Sequence, residues 1–160
     1  MSLLASNLAF AKEKAKEFAG KKSTFLAVRN LYERDGMDPA VRALREMASQ
    51  PDGHFTLHPE LDSFAYRLML AGKLDDAQKM MEALAEIFPD KDNAFDSLGE
   101  LFLRRNDKDR AAQCFQKALE LNPNNRNAEA QLKTTWIAIL PPSLSRGASG
   151  MSWRRKRAKS

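Results

Sequence analysis

Asp92 to Asn125 reads DNAFDSLGELFLRRNDKDRAAQCFQKALELNPNN, and this stretch decides the fold. Gly99 and Ala111 lack bulk where two helices would cross closely, while Phe102 and Phe115 supply the volume to fill the space around that crossing. Pro123 ends the second helix, because the residue before a proline is pushed out of the helical region. The same pattern recurs upstream at a spacing of 34 residues: Pro89 precedes Pro123, Ala77 precedes Ala111, Ala65 precedes Gly99, and Leu68 precedes Phe102. Phe64 and Leu98, Met81 and Phe115, and Leu84 and Ala118 share that spacing. A 34-residue period with small and large residues in matched places predicts stacked helix–turn–helix units.

Residues 92–125 resemble a tetratricopeptide repeat, with Phe95, Leu98, Gly99, Phe102, Ala111, Phe115, Ala118 and Pro123 at the family's signature positions. Residues 58–91 read as a weaker copy, and a degenerate hairpin covers about 23–50. In that hairpin Ser23 is a capping residue, Gly36 lies in the turn, and Asp38-Pro39 reads as a cap followed by a first helical turn. Ala40 precedes Ala77 by 37 residues, which places an insertion in Pro51–Pro59. Leu4, Leu8, Ala11, Ala15 and Phe18 form one apolar stripe, predicting an N-terminal amphipathic helix over 1–22. Residues 126–140, with Leu132, Trp136, Ile139 and Leu140, predict a capping helix that Pro141-Pro142 stops. Trp136, Ile137 and Ile139 would leave an apolar strip there, a candidate for end-to-end pairing, with the oligomeric state open. The expected fold is therefore all-α, a tetratricopeptide-like α-solenoid of about three hairpins over 23–140, with a capping helix at each end.

Charge is unevenly placed. Residues 141–160 hold Arg146, Arg154, Arg155, Lys156, Arg157 and Lys159 and no acidic residue, out of 26 basic and 21 acidic residues in the chain. The remainder is close to neutral, and 141–160 reads as a disordered basic tail. Such a tail suits weak, salt-sensitive contact with nucleic acid, without base readout, and a nucleic-acid role is the distant alternative. The single cysteine, Cys114, excludes a disulfide within the chain and reads as a half-buried helix residue. No apolar run reaches the roughly 18–20 residues of a membrane span. The N-terminus lacks the pattern of a secretory signal, so the expected location is cytoplasmic.

A narrower resemblance follows the order of several segments. Asp35-Gly-Met-Asp-Pro-Ala-Val-Arg-Ala-Leu-Arg-Glu-Met47, Leu61-Asp-Ser-Phe-Ala-Tyr-Arg-Leu68, Phe88-Pro89 and Phe95-Asp-Ser-Leu-Gly-Glu100 look like the helical C-terminal region attached to some class C β-lactamase-like serine hydrolases. The likeness covers about 23–133 and implies a detached accessory domain, periplasmic or secreted if it belongs to a larger hydrolase. The hydrolase itself needs a serine with lysine three residues later, and no serine here has one. No catalytic residues and no cofactor are expected.

Candidate sites follow from residue type. His54 and His58 are four apart, but Gly53 and Pro59 bracket them and no His-Glu-x-x-His arrangement is present, so the segment reads as a surface loop without a metal. Glu82, Glu86 and Asp90 read as a solvated helix face. The resemblance to tetratricopeptide repeats implies a concave groove lined by the first helix of each pair: Asp62, Tyr66 and Met69, then Asn93, Asp96, Glu100 and Leu103, then Asn127, Ala130 and Thr134. Asp62, Asp96 and Glu100 would repel a terminal carboxylate, the ligand of chaperone-binding members. The expected function is a non-catalytic scaffold whose groove takes a basic or aliphatic protein segment, with Tyr66 as apolar anchor.

Overall fold

Helix starts recur at one interval. The computed structural model describes residues 22–50, 54–55 and 58–139, with side chains omitted at 54–55 and 137–139. Among them are seven helices: α1 (Thr24–Asp35), α2 (Met37–Ser49), α3 (His58–Leu70), α4 (Leu74–Ile87), α5 (Asp92–Arg104), α6 (Lys108–Leu121) and α7 (Arg126–Ile139). Two-residue strands β1 (Lys22–Ser23) and β2 (His54–Phe55) pair in parallel, each running toward the start of a helix, α1 and α3. The fold is all-α and tetratricopeptide-like. The expected helix up to residue 21, the basic tail 141–160, Leu140, and the side chains of Ile137 and Ile139 lie outside what is described.

Helices α1, α3, α5 and α7 begin at residues 24, 58, 92 and 126, a constant step of 34. Helices α4 and α6 coincide under the same shift in numbering at both ends. Only α2 is out of phase, starting at 37. One residue, Gly36 at φ 88°, joins α1 to α2, and its N–H donates to Tyr32 O at 3.0 Å. Three residues, Ala71–Lys73, do that job between α3 and α4. The link 50–57 is longer than the link 88–91, as an insertion there requires, but the shortened α1–α2 turn together with α1 and α2, each one residue shorter than α3 and α4, offsets it and restores the phase of α3. The expected cap at Asp38 is displaced by this early start. Gly36 occupies the cap position, and Asp38 in the first turn pairs with Lys79 on α4. Ser23 does cap α1, its hydroxyl accepting from Leu26 N at 3.3 Å.

The two in-phase hairpins turn by the same backbone chemistry. Lys73 N donates to Leu68 O at 3.0 Å and Gly72 N to Met69 O at 3.1 Å. Thirty-four residues on, Asp107 N donates to Phe102 O at 2.8 Å and Asn106 N to Leu103 O at 2.9 Å. Both are Schellman closures, which need one residue in the left-handed region. Gly72 (φ 77°) fills that place in the first hairpin and Asn106 (φ 59°) in the second. Asn is among the few side-chain-bearing residues that visit this region readily. Asp107 then caps α6, its carboxylate accepting from Arg110 N at 3.1 Å.

The chain divides into two compact units, Met1–Asp90 and Lys91–Ser160, each described by itself. In the first, α1 packs on α2, α3 on α4, and α2 on α4. Phe25 and Tyr32 of α1 meet Phe64 of α3 edge-on, with ring centroids 6.1 and 5.5 Å apart. Tyr32 Oη donates to Asp76 Oδ2 of α4 at 3.0 Å, and Lys73 Nζ donates to Tyr32 Oη at 3.0 Å. That hydrogen bond raises the Lys73 pKa. Val28, Leu44, Leu61, Met80, Met81 and Leu84 are shut away from solvent, and it is this apolar burial that stabilises the unit. The exposed Arg45–Glu86 pair adds little to it. His58 is not on a surface loop as its neighbours in sequence suggest. It opens α3, is buried, and sets its ring edge-on to Phe88 with centroids 5.0 Å apart.

In the second unit α5 and α6 cross at Gly99. A Cβ built there would stand 2.7 Å from Cε1 of Phe115, which is itself fully buried. Arg110 lays its guanidinium over the Phe102 ring at 4.3 Å. Helix α7 packs on α6.

Replacing Gly99 with Ala is expected to destabilise the protein by about 1–3 kcal/mol through overpacking. Phe115→Leu should recover part of that loss in the double variant, as read by chemical denaturation and a double-mutant cycle. At Asn106, substitution by Ala should cost about 1 kcal/mol, whereas Gly should be neutral or better, because Ala keeps a Cβ at positive φ while losing the side-chain polarity that compensates for it, and Gly removes the Cβ. The hydrogen bond from Arg110 N holds the Asp107 carboxyl below its usual pKa, with a second bond from the Arg110 side chain. A carboxylate with a lowered folded pKa contributes stability above the ordinary aspartate range and loses it as pH falls through the folded value. Denaturation of Asp107→Ala should therefore differ from the parent at neutral pH, and the gap should shrink below the ordinary aspartate pKa.

Candidate functional site

Helix α5 carries Asp92, Asp96 and Glu100 four residues apart, which puts three carboxylates in one row along the helix. The run from Asn122 to Asn127, between α6 and the first turn of α7, supplies amides to all three. Asn122 Nδ2 donates to Asp92 Oδ2 at 2.8 Å and Asn125 Nδ2 to the same oxygen at 3.0 Å. Asn127 Nδ2 donates to Asp96 Oδ2 at 2.9 Å and to Glu100 Oε1 at 2.8 Å. The asparagines also shape their own backbone. Asn125 Oδ1 accepts from Ala128 N at 2.9 Å, capping α7, and Asn122 Oδ1 accepts from Asn124 N at 3.1 Å. The chain therefore turns from α6 into α7 around Asn122 and Asn125 while their amides grip the start of α5.

An amide donor is neutral. It fixes the orientation of a carboxylate without cancelling its charge, whereas a lysine or arginine would do both. Asp96 is buried, Glu100 half-buried and Asn127 exposed, so the row runs from the interior of the unit outward. Asn93 is exposed and Leu103 half-buried on the same helix. On α7, Ala130 and Thr134 are exposed, and the Thr134 hydroxyl donates to Ala130 O at 3.0 Å.

Of the groove residues read from the sequence, Asp96, Glu100 and Asn127 come together in one network. Asp62 and Tyr66 belong to the other unit and are half-buried on α3. Met69 departs from expectation. It is 1% exposed and is a core side chain, so it is not available to a ligand. Leu68 and Ala65 on the same helix are buried as well. The tie of Asn122 and Asn125 to Asp92 escaped sequence reading. Its signal was the density of asparagine around Pro123, four amides in residues 122–127. Elsewhere, Cys114 is half-buried, Gln78 Nε2 donates to Glu82 Oε1 at 2.8 Å, and Glu86 pairs with Arg45. Among the described residues no three His, Cys, Asp or Glu side chains gather as a metal ion would need. No described helix is long and apolar enough to cross a membrane.

Comparison with known proteins gives one match, from Ser97 in α5 through α6 to Asn125. Residues 97–125 fit the family model of the tetratricopeptide repeat. No curated protein matches the chain. Neither the family match nor the curated proteins tie it to the β-lactamase-like hydrolases. The repeat match supports a tetratricopeptide-repeat protein, and such repeats generally mediate protein binding and are typically non-catalytic.

Proposed function

We propose that this protein is a non-catalytic protein-binding module whose α5–α7 face takes a basic segment of a protein partner. The observation that carries the reading is the pair of hydrogen bonds from Asn127 to Asp96 and Glu100. One neutral side chain holds two carboxylates a helical turn apart. Binding loses less free energy to ordering when the receiving groups are already fixed. Lysine or arginine reaching the half-buried Glu100 meets an acceptor already oriented by Asn127, with the charge of the buried Asp96 close by, and a charge-assisted hydrogen bond is about twice as strong as a neutral one. Asn93 and Leu103 extend the face along α5, and Thr134 extends it along α7. A terminal carboxylate would meet like charge there, which selects against it. Asp62 and Tyr66 offer a separate acidic and aromatic face in the first unit.

The test is fluorescence anisotropy with labelled lysine- and arginine-rich peptides against the parent and the variant Asp96→Asn plus Glu100→Gln. Both replacements keep an acceptor oxygen for Asn127 and remove the charge. Affinity for basic peptides should fall at least about tenfold, the effect of losing roughly one charge-assisted hydrogen bond. Equal affinity in a variant whose circular dichroism matches the parent would remove the proposal.

A further inference from the structure

Helices α6 and α7 enclose a second feature on another side of the unit. A trough of about 440 Å³ runs between them, with Leu119, Pro123 and Leu132 along its floor and Trp136 at one end. Trp136 is 38% exposed, one of the few large apolar side chains left in solvent among the described residues. At about 100° per residue, Glu129, Leu132, Lys133 and Trp136 fall on one arc of α7, and Asn127, Ala130 and Thr134 fall on the opposite one. The trough is therefore distinct from the carboxylate row and owes nothing to it.

Its layout is that of a self-complementary surface. Because a short turn makes α6 and α7 antiparallel neighbours, Pro123 lies at the turn end of the trough and Trp136 at the far end. Rotating a second copy by a two-fold axis near residue 131 runs the two α7 helices antiparallel and carries each Trp136 to the other's turn end, beside Pro123. Charges follow the same register. Along this arc of α7 come Arg126, Glu129 and Lys133, and Glu129 and Lys133 already pair within the helix at 2.7 Å. In the antiparallel register Lys133 of one copy stands opposite Glu129 of the other, and Arg126 stands opposite Trp136, a favourable cation–π partner. A parallel pairing would set like charge on like charge. We propose that the α6–α7 trough is a homodimer interface, isologous about this axis.

The full chain is the sample, and the measurement is sedimentation velocity from micromolar to sub-millimolar concentration. The parent should pass reversibly from monomer to dimer. Trp136→Glu should weaken self-association at least about 30-fold, because the two-fold axis makes each substitution remove an aromatic contact twice. Lys133→Glu and Glu129→Lys should each be monomeric alone and should form a heterodimer when mixed, since the mixture restores every cross-copy pair. A parent that stays monomeric throughout, whether because residues 140–160 cover the trough or for any other cause, overturns the proposal. So does a dimer that Trp136→Glu leaves intact, or a charge-reversed pair that does not associate on mixing.

Discussion

The contact between Gly99 and Phe115 is the constraint on which the second unit depends. A Cβ at position 99 would overlap the phenyl ring, so the crossing exists only with hydrogen there. That approach seals Phe115 completely and places Ala111 and Ala118 on the same buried side of α6. Close packing of this kind leaves little freedom in how α5 is rotated, because a one-methylene change already disturbs a core at native density. The rotation in turn decides that Asp92, Asp96 and Glu100 line up where the asparagines of the α6–α7 turn reach them. The polar network is thus positioned by an apolar contact several residues away.

The class of fold was legible because packing leaves its mark in side-chain volume. Small residues at a fixed interval, with aromatics four residues or so beyond, have few explanations other than recurring helix crossings. The α2 phase was only half legible for a different reason. A lengthened link is cancelled in the count by a shorter turn and two slightly shorter helices, and Gly36 reads the same in a one-residue turn as in a three-residue one. His58 was misread because its neighbours, Gly53 and Pro59, are loop residues in most settings, although proline also suits a first helical turn. Met69 was misread because a position rule borrowed from a family assumes equal exposure at equivalent positions, whereas Leu103, 34 residues on, is half-buried and Met69 is fully buried.

The candidate site was legible as positions and not as a network. Asp96, Glu100 and Asn127 could be placed on first helices by counting, but counting cannot show that one amide bridges two carboxylates. Nor does it show that Asn122 and Asn125 serve as turn and cap residues while gripping Asp92. Asparagine in a turn is ordinarily accounted for by its own backbone, which it bonds readily. Here the same side chains do both, using Oδ1 for the local backbone and Nδ2 for the distant acid.

That division of labour explains why the face stays acidic. Carboxylates brought together along a helix repel one another, and the usual remedy is an interleaved cation, as Glu129 and Lys133 show on α7. On α5 the amides of Asn122, Asn125 and Asn127 steady the row as well, supplying hydrogen bonds and no net charge. Helix α7 carries both solutions on opposite sides. One turn of it presents the amide that orients Asp96 and Glu100, and the next presents a neutralised pair beside an apolar trough. A helix with a 3.6-residue period can therefore present a neutral amide to the carboxylates of α5 on one side and an internally paired acid and base on the other without any change of backbone.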